Sequence, residues 1–454
     1  MPSRDDPARV ELNVPRRDQP TLNPGVQRRE VLGWAMYDFA NSGYTTVVIT
    51  AVFSAYFVGG VAQGASWATL AWTVALSVSY ALVMLSMPVL GAWCDRHGTK
   101  KRLLGWTTLG CVLSTLALGW VGPGDVALGM LLIIVSNTFY ACGESLIAAF
   151  LPELATGPGM GRVSGWGWAL GYVGGMLCLG LCLAYVLQAQ ARGEPAASFV
   201  PVTMVVTALF YGAASLFTFA WLRDRAQPMR EDGGRGATVR MGQWQRLRLS
   251  VRSLQHYPEL ARLLACIVAY QAGVAVAITL AAIYAEQVMG FQPQETMVLI
   301  FALNIAATAG AFTLGHAQDR WGHQRTLALT LVGWIITCII VALAHSKPVF
   351  WAAAVLAGWC LGSSQSAGRA MAGLLTPPAQ TAEFFGLWSF AVRAASIAGP
   401  LLYGLITWLS AGNQRLAIGA TAGLFALGLW WLWSLDMAKG RARVTSAKSP
   451  PGEI

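Results

Sequence analysis

Long apolar runs are the feature that most constrains the fold of this chain of 454 residues. Each run has about 20 or more mostly apolar residues, enough for a helix to cross the roughly 30 Å hydrocarbon core of a bilayer. There are twelve runs, and a polar stretch separates the first six from the last six. They cover approximately residues 31–59, 67–93, 103–121, 126–150, 163–187 and 199–222, then 260–286, 295–317, 326–345, 349–375, 384–409 and 414–435.

The composition supports an all-α membrane protein with twelve transmembrane helices. Hydrophobic residues make up 55% of the chain and charged residues only 11%, against about 25% charged residues in soluble domains. Membrane β-strands would alternate over roughly ten residues, which these runs do not do. The net charge of +10 does not indicate nucleic-acid binding, because most of the cationic residues lie in the tails and in alternate loops. The eight cysteines are scattered through apolar runs, so we expect neither disulfides nor a metal site.

The distribution of Lys and Arg predicts how the chain crosses the membrane. Of 31 such residues, 26 fall on the side that carries both termini, and only Arg192, Lys347 and Arg415 fall in loops on the other side. Positive residues favour the cytoplasmic side, so we predict a multi-pass protein of the cell inner membrane with both termini cytoplasmic. The predicted domains are a disordered N-terminal tail (1–30), two six-helix bundles (31–222 and 259–435), a cytoplasmic linker (223–258) with an amphipathic helix near 243–256, and a C-terminal tail (436–454).

An internal repeat relates the two bundles. Residues 91–102 read GAWCDRHGTKKR, and residues 315–325 read GHAQDRWGHQR. In such short loops a glycine allows a tight turn, and an aspartate can accept hydrogen bonds from the first amides of a neighbouring helix. The basic residues can pair with acidic groups between the bundles or with anionic headgroups. The repeat predicts a gate motif of Gly91, Asp95, Arg96, Gly98 and Lys101, with Gly315, Asp319, Arg320, Gly322 and Arg325 as its second copy.

These loops resemble those of the major facilitator superfamily, and the resemblance covers residues 31–435. It implies two pseudo-symmetric six-helix bundles that rock about a cavity lined by segments 1, 4, 7 and 10, with the gate motif holding the cytoplasmic side. A set of shorter stretches resembles the vacuole-effluxer-like permeases, a branch that implies amino-acid efflux. They are YDFANS (37–42), LPEL (151–154), RVSGWGWALGYVGG (162–175), YPELARLL (257–264) and EFFGLWSF…R…GPLLYG (383–404). The chain departs from this branch in segment 7, where Gln271 and Ala272 replace a common Asn-Asp pair.

Glycines at four-residue spacing predict a place where helices pack closely. We expect Gly167, Gly171 and Gly175 of segment 5 to lie where the two bundles meet. Gly399 and Pro400 are their counterpart in segment 11 and a point where that helix can bend. A nucleotide-binding interpretation is unattractive, because no strand precedes these glycines and no acidic partner follows them.

Charged side chains inside the apolar runs carry most of the functional information, because each costs at least about 2.5–3.5 kcal/mol at the bilayer centre. Arg393 lies roughly 15 Å inside its helix. It is a counter-ion for a substrate carboxylate, for Asp38 or for Glu144, or else part of a structural ion pair. Glu144, as a lone carboxylate, is a candidate protonation site. Arg369 is either a further functional charge or pairs with Glu383 across the TPP turn.

Polar residues interrupt segment 1 along one stripe. Asp38, Asn41, Ser42 and Thr45 lie within about 100° of arc on a helix. The stripe either lines the cavity or forms hydrogen bonds that fix helix packing, and the sequence leaves both open. Gln271 and Gln365 are further polar candidates on the cavity helices.

Together these features predict a secondary active transporter of a small polar solute, such as an amino acid, working by alternating access, with protons as candidate coupling ions and efflux as the direction. Arg393 would bind a carboxylate, and Asp38 or Glu144 would hold an amine or the proton. The alternatives are a uniporter or exporter of another small metabolite or drug, and a transporter-fold receptor without flux. The sequence has no phosphate-binding loop and no HExxH grouping, so we expect no enzyme and no cofactor. The expected partners of this monomer are its small-molecule substrate and the lipid bilayer, not nucleic acid.

Overall fold

The computed structural model describes residues 20–225, 252 and 254–446. In this part of the chain the secondary structure is helical, apart from an isolated bridge between Leu22 and Ala155. The amphipathic helix predicted near 243–256 falls mostly outside the described residues.

Twelve long helices, α1 to α12, follow the order of the twelve apolar runs. A helix of 20 residues is about 30 Å long, so helices of this length can cross a bilayer. The first bundle contains α1 (Arg28–Val61), α2 (Ala68–His97), α3 (Lys100–Ala117), α4 (Val126–Ala148), α5 (Met160–Ala191) and α6 (Ala196–Trp221). The second contains α7 (Pro258–Gln287), α8 (Pro293–Trp321), α9 (His323–Leu343), α10 (Lys347–Leu375), α11 (Thr381–Leu409) and α12 (Gln414–Trp433). A shorter helix, α13 (Met437–Ser446), follows α12.

Eleven of the described helices are long and apolar enough to cross a membrane, judged by length and composition. The long helix outside this set is α10, which has 29 residues but carries a polar sequence, SSQS, followed by Arg369. Most of these polar side chains are buried between helices, so they do not face lipid and α10 keeps the length of a span. The predicted fold, an all-α membrane protein with twelve transmembrane helices, is confirmed.

The two bundles share one packing scheme. In the first bundle α1 packs on α5 and α6, α2 packs on α4, and α3 packs on α4 and α6. In the second bundle α7 packs on α11 and α12, α8 packs on α10, and α9 packs on α10 and α12. Between the bundles α2 packs on α11 and α5 packs on α8, which are equivalent pairs. The duplication indicated by the two short motifs therefore extends to the whole helical architecture.

We call the end of the molecule that carries the two repeated motifs the motif face, and the other end the opposite face. At the motif face α2 ends at Gly98 and α8 ends at Gly322, with φ of 62° and 94°. Glycine suits these positive φ values because it has no Cβ. The chain thus turns at the same place in both bundles, and each turn sets the preceding aspartate, Asp95 or Asp319, at the end of its helix.

Parts of the two predicted tails pack against the motif face. The backbone amide of Asn23 donates to the carbonyl oxygen of Leu154 at 3.0 Å. Glu30 is fully buried and pairs with Arg225, and this hydrogen bond raises the pKa of the guanidinium. Residues 20–30 therefore differ from the predicted disordered tail. Within the predicted C-terminal tail, α13 packs on α7 and α10.

The first helix is less regular than its counterpart in the second bundle. Two π-helical stretches, Thr45–Ala51 and Phe57–Val61, occur in α1, whereas α7 is α-helical throughout. The amide of Val52 accordingly donates five residues back, to the oxygen of Val47 at 2.8 Å. Such π-helical turns often mark functional sites. The two bundles thus differ in the part of α1 that runs toward the opposite face.

Glycines allow the closest approaches between the bundles. A Cβ on Gly91 of α2 would overlap the carbonyl oxygen of Ala382 on α11. A Cβ on Gly165 of α5 would lie 2.5 Å from the oxygen of Ala311 and 3.0 Å from the Cα of Gly315, both on α8. The two motif glycines, Gly91 and Gly315, therefore lie at the contact between the bundles.

Most of the predicted glycine set lies within one bundle, and for these residues the predicted position was wrong. Gly171 and Gly175 face α1 of their own bundle, and Gly399 faces α7 of its own bundle. Gly167 lies against both α1 and the side chain of Arg369 from the second bundle. Residues two apart on a helix point about 200° apart. Gly165 and its four-residue neighbour Gly161 therefore occupy one face of α5, and the predicted set occupies another. Pro400 lies inside α11, which continues on both sides of it as one helix.

Candidate functional site

Each motif aspartate caps a helix of the other bundle. The carboxylate of Asp95 accepts from the backbone amides of Ala382 and Glu383, at the start of α11, at 3.0 and 2.8 Å. Asp319 accepts in the same way from two amides at the start of α5, at 3.1 and 3.3 Å. A helix N-terminus has free amides and a partial positive charge, so a carboxylate is stabilising there. Both contacts join the bundles at the motif face.

Lys100, the neighbour of the predicted Lys101, reaches between the bundles. The buried ammonium of Lys100 pairs with Glu153 and donates to the hydroxyl of Thr381 on α11 at 2.8 Å. Lys101 remains within the first bundle, where its ammonium donates to the oxygen of Leu222 at 2.5 Å. The other predicted cations of the motif are half-buried (Arg96) or exposed (Arg320 and Arg325).

A buried ion pair joins α1 to α10. Nη1 of Arg369 donates to Oδ2 of Asp38 at 2.7 Å, and the two side chains are only 3% and 9% exposed. Arg369 also donates to the hydroxyl of Ser164 at 3.2 Å and to its carbonyl oxygen at 3.0 Å. The guanidinium lies 4.6 Å from the ring centre of Trp34 and 5.2 Å from that of Trp168. All these partners belong to the first bundle.

A second ion pair joins α4 to α11. Nη2 of Arg393 donates to a carboxylate oxygen of Glu144, and the guanidinium lies 5.4 Å from the ring centre of Tyr80 on α2. The side chains of Arg393 and Glu144 are 9% and 19% exposed. Nε of Arg393 is a buried donor that has no partner in the described part of the chain. Of these two arginine pairs, the one of Arg393 with Glu144 is more open to a solute.

The other members of the α1 stripe make their contacts within the first bundle. Oδ1 of Asn41 accepts from the hydroxyl of Tyr211 on α6 at 3.0 Å. Ser42 lies against Gly171 of α5, and the hydroxyl of Thr45 donates to the oxygen of Asn41 at 3.5 Å. The contacts of these three residues thus lie within the first bundle in this arrangement, and Asp38 is the member that reaches the second bundle.

The polar candidates on α7 and α10 contact each other. Nε2 of Gln271 donates to Oε1 of Gln365 at 2.6 Å. Gln271 and Ala272 stand where the resemblance implies an Asn-Asp pair, and here the two neutral amides of Gln271 and Gln365 bond to one another. This contact brings no charge to the centre of the molecule.

Two expectations about the charges need correction. Glu144 is not a lone carboxylate, because it pairs with Arg393. Arg369 pairs with Asp38 of the first bundle and not with Glu383 across the TPP turn. In both pairs the first bundle supplies the carboxylate and the second supplies the guanidinium, an arrangement that only the fold could reveal.

Several residues that complete the two ion pairs were not singled out from the sequence. Ser164, Trp34 and Trp168 surround Arg369, and Tyr80 lies under Arg393. Tryptophan, serine and tyrosine are common in membrane helices, so their presence alone indicates no role. The one available signal was that Ser164 and Trp168 fall within the stretch RVSGWGWALGYVGG.

Comparison with known proteins places the chain in a family. The model of the family described as vacuole effluxer Atg22 like matches residues 53–160 and 159–445. The chain belongs to this family. Among its relatives is the uncharacterized MFS-type transporter YxiO of Bacillus subtilis, which is 28% identical over 403 residues that cover 87% of this chain and 92% of YxiO. Another is autophagy-related protein 22-1 of Penicillium rubens, 22% identical over 470 residues that cover 85% of this chain and 78% of the relative.

Solved structures show the same fold. The human organic anion transporter MFSD10 superposes with a TM-score of 0.70 at 15% identity, covering 89% of this chain and 99% of that one. At this identity the likeness establishes the major facilitator fold alone. Fold and family together make the chain a multi-pass membrane transporter of the major facilitator superfamily, and the relatives that define this assignment are transporters and not enzymes.

Proposed function

We propose that the protein is a secondary active transporter that moves an amino acid or a similar zwitterion by alternating access, in the direction of efflux. The observation that carries this proposal is the pair of Glu144 and Arg393, which is contributed by both bundles and is partly exposed. A zwitterion can pair with both side chains when they separate from each other. Its carboxylate would pair with Arg393, and its ammonium with Glu144. A solute with one charge would leave the other side chain unpaired in a low-dielectric site, at a considerable cost.

The geometry around Arg393 supports its role as the carboxylate site. The unpartnered Nε gives the guanidinium a free donor beside the one that binds Glu144. A planar guanidinium can hold a carboxylate through two parallel hydrogen bonds. The ring of Tyr80 supports the guanidinium from one side and so restricts its orientation.

The contacts between bundles support alternating access. The caps made by Asp95 and Asp319 close the motif face, and the buried pair of Asp38 and Arg369 lies behind them. Opening the motif face requires these contacts to break together. We take the motif face as cytoplasmic, because most Lys and Arg of the chain belong to that side. The protein would then lie in the cell inner membrane as a monomer, with both termini in the cytoplasm.

The energy source follows from the same charges. A proton on Asp38 or Glu144 would neutralise one carboxylate of a pair between the bundles and weaken its attraction for arginine. Proton coupling is therefore part of the proposal. The direction of efflux rests on the description of the family as vacuole effluxers.

Transport in proteoliposomes tests the proposal. The purified protein should exchange labelled amino acids, and a pH gradient should drive net accumulation. Arg393→Gln should weaken the apparent affinity about ten- to hundredfold, because it removes a charged hydrogen bond, and Arg393→Lys should weaken it less. Arg192→Gln, a change in an exposed loop pair on the opposite face, is the matched control and should behave as wild type.

Three outcomes would contradict the proposal in different ways. Flux that does not respond to a pH gradient would indicate a uniporter. Flux of uncharged or singly charged solutes alone would indicate an exporter of another metabolite or drug. Ligand binding without any flux would indicate a receptor built on a transporter fold.

A further inference from the structure

The first bundle contains a socket that holds the side chain of Arg369. Its walls are the carboxylate of Asp38, the hydroxyl and carbonyl oxygens of Ser164, and the rings of Trp34 and Trp168. Arg369 belongs to α10 of the second bundle, so the socket and the side chain that occupies it lie on different bundles. With Arg369 removed, the remaining walls are two aromatic faces and three oxygen acceptors.

The backbone of α5 is built to leave this space. A Cβ on Gly167 would lie 2.5 Å from Oδ2 of Asp38, 2.6 Å from the ring of Trp34 and 2.7 Å from Nη2 of Arg369. Any side chain at this position would therefore fill the socket. The hydroxyl of Ser164 donates to the carbonyl oxygen of Ser366 at 2.9 Å, which directs its lone pairs toward Arg369.

The chemistry of the walls selects an organic cation. Aromatic faces attract cations, and guanidinium and ammonium groups are the usual occupants of such sites. The carboxylate supplies the opposite charge, and the two oxygens of Ser164 accept the remaining N–H groups. The charged groups facing Asp38 are Arg369 of α10 and, further away, Glu144 of α4 with its partner Arg393 of α11. Among the described residues, no cation of the first bundle is one of these neighbours, so withdrawal of Arg369 would leave the socket negative.

We propose that this socket is a binding site for a guanidinium or alkylammonium group, and that Arg369 occupies it as an internal ligand while the motif face is closed. The inference rests on alternating access as proposed above. When the bundles separate at the motif face, α10 carries Arg369 out of the socket. The cationic group of the transported solute then takes the place of Arg369 against Asp38.

Chemical replacement of the guanidinium tests the socket directly. Arg369→Ala empties it while keeping its walls. Methylguanidinium should bind this variant at least about tenfold more tightly than the uncharged isostere methylurea does. Its binding should raise the Tm of the variant by several degrees. Wild type should show no such response, because Arg369 fills the socket. Arg415→Ala is the control, because it removes an arginine that donates to carbonyl oxygens near the opposite face. The Tm of this variant should not rise with methylguanidinium.

Further variants test whether the residues that line the socket bind methylguanidinium. Asp38→Asn combined with Arg369→Ala should abolish the response to methylguanidinium, and Trp168→Leu with Arg369→Ala should weaken it severalfold. If folded Arg369→Ala does not distinguish methylguanidinium from methylurea, the proposal is overturned.

Competition in the wild-type protein provides a second test should Arg369→Ala not fold. During transport Arg369 leaves the socket each time the motif face opens, so methylguanidinium should slow solute exchange in proteoliposomes severalfold, and methylurea at the same concentration should not. Equal effects of the two compounds would overturn the socket. Failure of the proposed function is distinguishable, because it would be an absence of amino-acid flux while methylguanidinium still stabilises Arg369→Ala.

Discussion

Asp38 and Glu144 illustrate how two carboxylates in the same apolar surroundings come to differ. Asp38 and its arginine are 9% and 3% exposed, whereas Glu144 and its arginine are 19% and 9% exposed. A buried pair is stable only while both partners are present, since removal of one leaves a charge without compensation. The more enclosed pair should therefore be the more sensitive to loss of one partner.

Neutralising Asp38 tests this sensitivity. Asp38→Asn should lower the free energy of unfolding by about 3–5 kcal/mol, because Arg369 then remains buried and unpaired. Adding Arg369→Gln should recover about 1–3 kcal/mol of that loss. Chemical unfolding in detergent measures both. Glu194→Gln, which breaks an exposed pair with Arg192, is the control and should cost less than about 1 kcal/mol.

At this scale the sequence identified the charges and gave Glu144 as one possible partner of Arg393, but it did not assign the pairs. An acidic or basic residue inside an apolar run is conspicuous, so Asp38, Glu144, Arg369 and Arg393 could all be selected without a structure. The pairing of Asp38 with Arg369 joins residues 331 positions apart. It depends on which helices are neighbours, and hydropathy does not contain that information.

Helices α5 and α8 approach each other through a glycine face that spacing alone could not assign. Gly161 and Gly165 lie on that face, and Gly167 and Gly171 lie on the face toward α1. Both sets have the spacing of four residues that favours close packing. The sequence predicted close packing on α5 and did not indicate which set meets the other bundle.

A cysteine introduced on α10 can report whether the motif face is closed. A Cβ at Gly373 would lie 3.4 Å from Met160 and from Pro152 of the first bundle, so Gly373→Cys fits between the bundles without overlap. The eight native cysteines are buried. Labelling of Cys at 373 by a soluble maleimide, followed by mass spectrometry of its peptide, then measures how often the motif face opens.

Adding one methyl group to α5 should shift the equilibrium between the closed and the open motif face toward the open state. Gly165→Ala brings a Cβ within 2.5 Å of the backbone oxygen of Ala311, and the backbone of α8 must move to accommodate it. We expect faster labelling of Gly373→Cys in this variant. Gly180→Ala on the same helix, where nothing lies within 4 Å of the added atom, should leave the labelling rate unchanged. Equal rates in both variants would show that this contact does not control closure.

For the molecule as a whole, two equivalent caps close the motif face. Asp95 and Asp319 each hold the first turn of a helix in the other bundle, at distances between 2.8 and 3.3 Å. The repeated motif and the twelve apolar runs were enough to predict this two-bundle architecture, because both are patterns of sequence spacing. The closed state of the motif face was not predictable, since it depends on the relative position of two separately folded bundles.

Removing the caps one at a time tests their equivalence. Asp95→Asn and Asp319→Asn should each weaken closure by about 1 kcal/mol, since an amide lacks the charge that favours the helix N-terminus. Each should speed labelling of Gly373→Cys about fivefold, and the double variant should show roughly the product. A response to Asp95→Asn alone would show that one bundle controls the gate.

The distribution of charge between the bundles has a consequence for how such a molecule could be assembled. The first bundle contributes both membrane-buried carboxylates of the two ion pairs, and the second contributes both guanidiniums. Two copies of the first bundle facing each other would bring four acids together without a cation, and two copies of the second would bring four cations together. The halves share a common plan, yet the buried charges of these two pairs are complementary between them, so these pairs favour a mixed pair over either like pair.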